Sequence, residues 1–264
     1  MGSECEKSSC CPNCATLLDG LCTRCSRKPA FVVIPARGGS KGLPGKNLME
    51  LEGIPMLVRA INAANEANEH IDKILVSSDD PDILVCANKH GARPITRPEE
   101  LSQDSSAIAE AVVHAALHTY GDNPPPICII IQPNVPIWKP GTVEKAVVMM
   151  SDGALTGVIT AVKAKHPPEW LMKRNSRNML DFYMGDGEGV GVNRQDLDQP
   201  LFVDGQLVAC MSSVLLKPFK VKPLCLCGPN IGVIEREEVY GTDVDDEWDF
   251  VKAEAFLRKM NGEA

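Results

Sequence analysis

Residues Arg37 to Asn47 hold four glycines, two lysines and one arginine in eleven positions. Glycine lets backbone N–H groups close around phosphate oxygens, and Arg37, Lys41 and Lys46 supply opposing charge, so by composition the stretch is a cradle for a triphosphate. Neither of the commoner phosphate loops describes it. A Walker A loop needs Gly at position 40 and Ser or Thr at position 47, where this chain has Ser40 and Asn47, and the dinucleotide spacing G-x-G-x-x-G is absent. Far along the chain, Asp243 and Asp245 stand two apart. On an extended segment such carboxylates face the same way and can share one hard divalent ion, with Mg2+ the expected choice, although an acidic helix N-terminus would give the same short pattern. A third cluster lies near residue 1. Cys11-Pro12-Asn13-Cys14 and Cys22-Thr23-Arg24-Cys25 are two C-x-x-C turns separated by seven residues. Four thiolates at that spacing suit Zn2+, and iron less well, in a minimal knuckle whose fold depends on the metal. Cys10 is an alternative to Cys11.

The elements that must carry these residues follow from hydrophobic periodicity. Ala30 to Ile34 is a short apolar, β-branched run that ends at Pro35 and opens into the glycine-rich loop, as a buried parallel strand would. Met56, Leu57, Ala60, Ile61 and Ala64 then fall at helical spacing, and a strand is expected at Lys73 to Val76. The alternation continues with helices near Pro81 to Lys89 and Ser105 to Tyr120, a strand at Ile127 to Ile131, a helix near Thr142 to Met150 and a strand at Leu155 to Val162. From Lys163 to Gly205 it stops. Strands are expected again at Gln206 to Met211 and Ile231 to Ile234, then a helix over Asp246 to Lys259 whose apolar face would be Trp248, Val251, Ala255 and Leu257. Such alternation predicts an α/β domain with a mostly parallel sheet covered on both faces, over residues 29–264, preceded by a cysteine head over residues 1–28.

Composition narrows the partners. The 264 residues carry 27 basic and 35 acidic side chains, a formal charge of −8, which argues against nucleic-acid binding. No apolar run reaches the roughly 18 residues of a membrane helix, and the polar head has no secretory h-region. A cytoplasmic location is expected, where clustered thiols bind metal in preference to forming disulfides. Six of the 11 cysteines fall in the first 25 residues. The later ones, Cys86, Cys128, Cys210, Cys225 and Cys227, read as ordinary thiols.

Read together, the motifs resemble the cytidylyltransferases that activate nonulosonic acids, the CMP-sialic acid synthetase family with its legionaminic and pseudaminic acid relatives. The resemblance rests on Ile34 to Asn47, Ile74-Leu75-Val76-Ser77-Ser78-Asp79-Asp80, Arg97-Pro98-Glu99-Glu100-Leu101 with Asp104, Gln132-Pro133, Asn193-Arg194-Gln195-Asp196-Leu197 and Asp243-Val244-Asp245 with Glu247-Trp248-Asp249-Phe250. It implies a Rossmann-like nucleotidyltransferase three-layer sandwich. It also implies a reaction in which a sugar acid's anomeric hydroxyl attacks the α-phosphate of CTP, giving a CMP-sugar acid and pyrophosphate. Arg37, Gly38, Gly39, Ser40, Lys41, Lys46, Asn47 and Arg97 become the nucleotide contacts, with Lys46 stabilising the departing pyrophosphate. Gln132 and Arg194 become acceptor contacts, and Asp243 and Asp245 the Mg2+ ligands, so that Arg37, Lys46 and Asp245 carry the chemistry. No general base emerges; His166, before two prolines, is a loop residue by its setting.

Departures from the family pattern bear on the acceptor. After Gln132-Pro133 the family's usual Thr-Ser-Pro-Leu-Arg is replaced by Asn134-Val135-Pro136-Ile137-Trp138, and the Asn-Gly-Ala-Ile-Tyr typical of members acting on N-acetylneuraminate by Asp204-Gly205-Gln206-Leu207-Val208. The lysine that often follows His-Pro is replaced by Glu169-Trp170 after His166-Pro167-Pro168. An unusual acceptor acid is therefore expected. By resemblance, residues 163–205 pair two subunits into a homodimer and cover the substrate. Two alternatives remain: an octulosonate cytidylyltransferase, and an inactive zinc-ribbon adaptor whose head binds a protein partner.

Overall fold

The computed structural model describes residues 28–40, 42–103, 106–184, 199–217 and 226–262, together with the backbone of Leu17–Leu18 and Leu21–Cys22. Cys11, Cys14, Cys25, Lys41, Asp104 and Arg194, with the side chain of Cys22, lie outside the described residues.

Seven strands form the central sheet: β1 (Ala30–Pro35), β2 (Ile71–Ser78), β3 (Arg93–Thr96), β4 (Ile127–Ile131), β5 (Gly157–Lys163), β6 (Leu201–Met211) and β7 (Ile231–Arg236). Their spatial order is β7-β5-β6-β4-β1-β2-β3. All pairs are parallel except those of β6, which runs antiparallel to both β4 and β5. Among the described residues six α-helices complete the fold: α1 (Met56–Asn65), α2 (Pro81–Lys89), α3 (Ile108–Tyr120), α4 (Thr142–Ser151), the single turn α5 (Ser212–Leu215) and α6 (Glu247–Met260).

The period of two in β1 and β4 divides the core into two layers. Ala30, Val32 and Ile34 with Ile127, Ile129 and Ile131 face α1, α2 and α4, whereas Phe31, Val33, Cys128 and Ile130 face α3 and α5. This is the expected three-layer sandwich. Phe31 meets Tyr120 edge-on at 5.1 Å between ring centroids, and Asp80 caps α2 by accepting from the backbone N–H groups of Asp82 and Ile83.

Four expectations need correction. The strand β3 was not anticipated, because Arg93-Pro94-Ile95-Thr96 carries a proline and buries only Ile95; the sheet tolerates that at its edge, where a missing N–H costs no ladder bond. On α6, Trp248 is 82% exposed and Val251 and Ala255 face solvent, while Phe250, Ala253, Phe256 and Leu257 pack inward against Leu51, Met56 and Val244. The helix turns its apolar stripe about one position away from the expected one, because Phe250, Ala253, Phe256 and Leu257 recur at helical spacing and form the face that packs; Asp246 caps the first turn through Asp249 N. The expected gap at Lys163 to Gly205 contains a hairpin, Met172–Arg174 with Leu180–Phe182, and β6 begins at Leu201 within it. Finally, β6 pairs with β5 in two registers that shift between Val203 and Val208, where Gly205 adopts φ +74°. That bulge turns both Asp204 and Gln206 into the interior.

Candidate active site

Strands grow outward from β1 in both directions, β2 to one side and β4 to the other, both parallel to it. The loops at their carboxyl ends diverge there and leave a crevice, the place where open α/β sheets bind ligands. A cleft of about 330 Å³ occupies it, lined by Arg37, Ser40, Gly42, Lys46, Asn47, Arg97, Gln132, Asn134 and Asp245 among others.

The glycine loop is pinned from several sides. Gly38 N–H donates to Asp79 Oδ1 at 3.0 Å, and a Cβ on Gly38 would lie 2.7 Å from Asp80 Oδ2. A Cβ on Gly42 would lie 2.3 Å from the carbonyl oxygen of Asp245, so the loop's path against that segment admits no side chain. Buried Asn47 donates through Nδ2 to the Arg37 carbonyl at 3.0 Å, tying the loop's two ends together. Lys46 reaches across the cleft: Nζ donates to the Val244 carbonyl at 2.9 Å and to Asp245 Oδ1 at 2.8 Å. Gly39 belongs to the same loop.

Arg97 is buried beneath the loop. Its Nε donates to Ser77 Oγ at 3.2 Å and its Nη2 to the Ser77 carbonyl at 2.7 Å. Burial lowers the pKa of the guanidinium from its ordinary value, Asp79 opposes that effect, and Arg37 adds to it. Arg97, expected as a nucleotide contact, is thus a fixed wall of the cleft.

Asp243 and Asp245 flank Val244, which is fully buried, so both carboxylates point outward as their spacing predicts. Desolvation and the neighbouring Asp245 charge raise the Asp243 pKa from its ordinary value, while the hydrogen bond from Asn134 Nδ2 to Asp243 Oδ1, at 2.6 Å, and the Lys46 charge act against them. Two oxygen-donor carboxylates side by side on one outward-facing stretch fit a hard divalent cation. Among the described residues no group of three or more His, Cys, Asp or Glu forms a closed metal cage. An ion held by two carboxylates and completed by phosphate oxygens and water needs no such cage.

The other side of the cleft rests on a buried polar network. Gln132 N donates to the Gln206 carbonyl at 3.0 Å, and the Gln132 amide lies over Gly205, where a Cβ would come within 3.2 Å of Nε2. Gln206 Nε2 donates to the carbonyls of Val135 and Ile137, at 2.6 and 2.9 Å. Its Oε1 accepts from Arg236, which also pairs with Asp204, and Asp204 Oδ1 accepts from Thr160 Oγ1 at 2.6 Å. Both charged side chains are wholly buried. Sequence reasoning gave Arg236 no role and treated Asp204, Gln206 and Asn134 only as departures. The available signal was periodicity: Arg236 shares the inward face of β7 with Ile234, and a charge on a core-facing position requires a buried partner.

His166 lies exposed in the segment after β5, and no histidine lines the cleft. Cys86, Cys128 and Cys210 are free thiols. No helix among the described residues is long and apolar enough to cross a membrane.

Residues 31–180, more than half of the chain, match the cytidylyltransferase family profile. The chain belongs to the cytidylyltransferase family. It is 28% identical over 237 residues to the pseudaminic acid cytidylyltransferase of Campylobacter jejuni, covering 88% of this chain and 97% of that one. To the CMP-N,N'-diacetyllegionaminic acid synthase of Legionella pneumophila it is 32% identical over 158 residues, covering 57% and 65%, and to an N-acylneuraminate cytidylyltransferase of Streptococcus agalactiae 31% over 173 residues, covering 64% and 40%. Among solved structures, a CMP:2-keto-3-deoxy-manno-octonic acid synthetase complexed with CTP superposes with a TM-score of 0.65 at 23% identity, covering 88% of this chain and 99% of that chain. That likeness shows that this cytidylyltransferase shares the nucleotidyltransferase fold.

Proposed function

We propose that this cytidylyltransferase transfers the cytidylyl group of CTP to the anomeric hydroxyl of a nonulosonic acid, releasing pyrophosphate. The observation that carries the reading is the convergence of Arg37, Ser40, Lys46, Asn47, Arg97, Gln132 and Asp245 on one cleft at the strand-order reversal. The names of the relatives supply the acceptor class.

In the reaction a bond forms between the acceptor oxygen and the α-phosphorus while the bond to the pyrophosphate oxygen breaks. The glycine loop offers its N–H groups and the Arg37 and Lys46 charges to the triphosphate. Lys46 turns from Asp245 toward the leaving pyrophosphate and holds the charge that develops there. Arg97, already oriented by Ser77, contacts the nucleoside, while Gln132 with Arg194 receives the acceptor. Mg2+, which enzymes of this kind generally use, is assigned to Asp243 and Asp245 and would supply charge neutralisation on the phosphates when bound.

The remaining assignments extend this reading. A homodimer is supported by the apolar surface of the 163–205 segment, where Leu171, Met179, Leu180, Tyr183, Met184 and Phe202 are all exposed. A zinc knuckle at Cys11, Cys14, Cys22 and Cys25, in a cytoplasmic protein, is supported by the antiparallel pairing of Leu17–Leu18 with Leu21–Cys22 between the two C-x-x-C turns. The head is a candidate site for a protein partner. The inactive adaptor alternative has less support, since Lys46 and Asp245 would be free to drift apart in a protein that only binds.

Pyrophosphate release with CTP, Mg2+ and a panel of neuraminic, legionaminic, pseudaminic and octulosonic acids tests the proposal. Turnover with a nine-carbon acid is expected. Turnover with the octulosonate alone would favour that alternative, and absence of both turnover and CTP binding would overturn the enzymatic reading.

A further inference from the structure

The loop from Gln132 to Ile137 carries two groups of the site on one short stretch: Gln132 on the acceptor side and Asn134 beside the aspartates. Its placement depends on a single interior side chain. Gln206 is 0% exposed and uses all its polar groups. Its Nε2 bridges the Val135 and Ile137 carbonyls at 2.6 and 2.9 Å, Oε1 accepts from Arg236, the backbone N–H donates to Asp204 Oδ1 at 3.0 Å, and the carbonyl accepts from Gln132 N at 3.0 Å. The amide can face only one way, because arginine only donates and the two carbonyls only accept. Asp204 and Arg236 hold it so from the far side.

At its other end the same loop grips the acidic segment. The Asn134 carbonyl accepts from Val244 N at 2.8 Å while Asn134 Nδ2 donates to Asp243 Oδ1 at 2.6 Å. One path thus runs from a buried ion pair to a carboxylate at the cleft: Arg236 and Asp204, then Gln206, then through the loop backbone at Val135 to Asn134, and on to Asp243. Desolvating an ion pair is a poor means of gaining stability, so its use beneath a loop that holds Gln132 and Asn134 calls for another return.

We propose that Gln206 and Asn134 are positioning residues: Gln206, clamped by Asp204 and Arg236, sets the register of the 132–137 loop, and Asn134 passes that register to Asp243, so that acceptor side and metal side are aligned by one buried amide. This rests on the functional reading above and deepens it. Positions 134 and 206 are also where this chain departs from the family pattern, so the relay marks its acceptor half as differently built.

The test uses the full chain with Asn134→Ala, Gln206→Leu and the double variant. Mn2+ binding to the CTP complex is followed by electron paramagnetic resonance, which requires no acceptor acid, and steady-state KM values are measured for CTP and for the acid. Each single variant is expected to weaken Mn2+ binding about tenfold, the usual size for a residue that orients a metal ligand. The double variant should be no weaker than the poorer single one, because the two act in series. Gln206→Leu should also raise acceptor KM while leaving CTP KM within about twofold. Asn134 is only half-buried at the cleft wall, so Asn134→Ala keeps the proposal testable even where Gln206→Leu does not fold. Unchanged Mn2+ binding in folded Asn134→Ala, or additive losses in the double variant, would overturn the relay. Failure of the wild type to use any acid would instead overturn the functional reading, with the Mn2+ result still deciding the relay.

Discussion

The proposed nucleotide half of the cleft and the proposed acceptor half are built by different physical means. The nucleotide half, as proposed, is a backbone structure: a glycine-rich loop whose ends are tied down by Asn47 and Asp79, with Arg97 fixed beside it by Ser77. The acceptor half is a side-chain structure, in which interior groups from β5, β6 and β7 hold a loop that has few bonds of its own. A backbone cradle suits a triphosphate that is the same in every cycle. Side-chain scaffolding lets the acceptor site change by substitution at one strand position without disturbing the phosphate loop, and the departures at 134–138 and 204–208 fall on that half.

The comparison can be broken at several points. Arg236→Met leaves Asp204 charged and unpaired in the interior and should cost about 3–5 kcal/mol in urea unfolding, whereas Arg236→Met with Asp204→Leu should recover most of that loss. Equal losses in both variants would show that the acceptor half is not held by the ion pair. Lys46→Met should lower kcat by roughly 10²–10³-fold with thermal stability near that of the wild type; a change confined to KM would move Lys46 from stabilising the leaving group to simple binding. Gly42→Ala drives a methyl group into the Asp245 carbonyl and should destabilise by about 1–3 kcal/mol, with turnover falling as the loop withdraws from the aspartates. Arg97→Lys should raise CTP KM about tenfold and leave acceptor KM unchanged, since the planar fork on Ser77 has no lysine equivalent. An equal rise in both constants would mean that the two halves are not separable.

The smallest effect concerns His114, on α3 beside Arg97. Burial first, then the charges of His118 and Arg97, lower its pKa below the ordinary value of 6.5, with Glu100 opposing. The folded state then binds fewer protons than the unfolded one, so the contribution of His114 is complete above pH 6.5 and is lost as pH falls through its lowered folded value. His114→Gln should flatten the stability profile between pH 7 and 5 as read by urea midpoints, and an unchanged slope would assign the acid sensitivity elsewhere.

Much of this was legible in the residues. The glycine loop, the Asp243 and Asp245 alternation and the two-layer strands β1 and β4 follow rules of local spacing, and the structure places them as those rules require. The exposed side of α6 was misjudged because a second apolar stripe, Phe250, Ala253, Phe256 and Leu257, meets Leu51 and Met56, and Trp248 is left in solvent. The Asp204 and Arg236 pair spans 32 residues, and it exists only because a bulge at Gly205 turns β6 inward. Such a contact leaves no periodic trace in sequence, beyond a charge standing where a core residue belongs.

The contact of Lys46 with Asp245 joins residues 199 apart along the chain. The helix that follows Asp245 is held by a small hydrophobic cluster of its own, Leu51, Met56, Ile137, Val244, Ala253 and Leu257, separate from the two large layers of the sheet. Units of that kind open at lower free energy than the core they rest on. In hydrogen exchange the amides of α6 should therefore open as a group before those of β1 and β4. Each such opening would carry both aspartates away from the cradle while the sheet stays folded, so the candidate site would have a lifetime shorter than that of the fold that bears it.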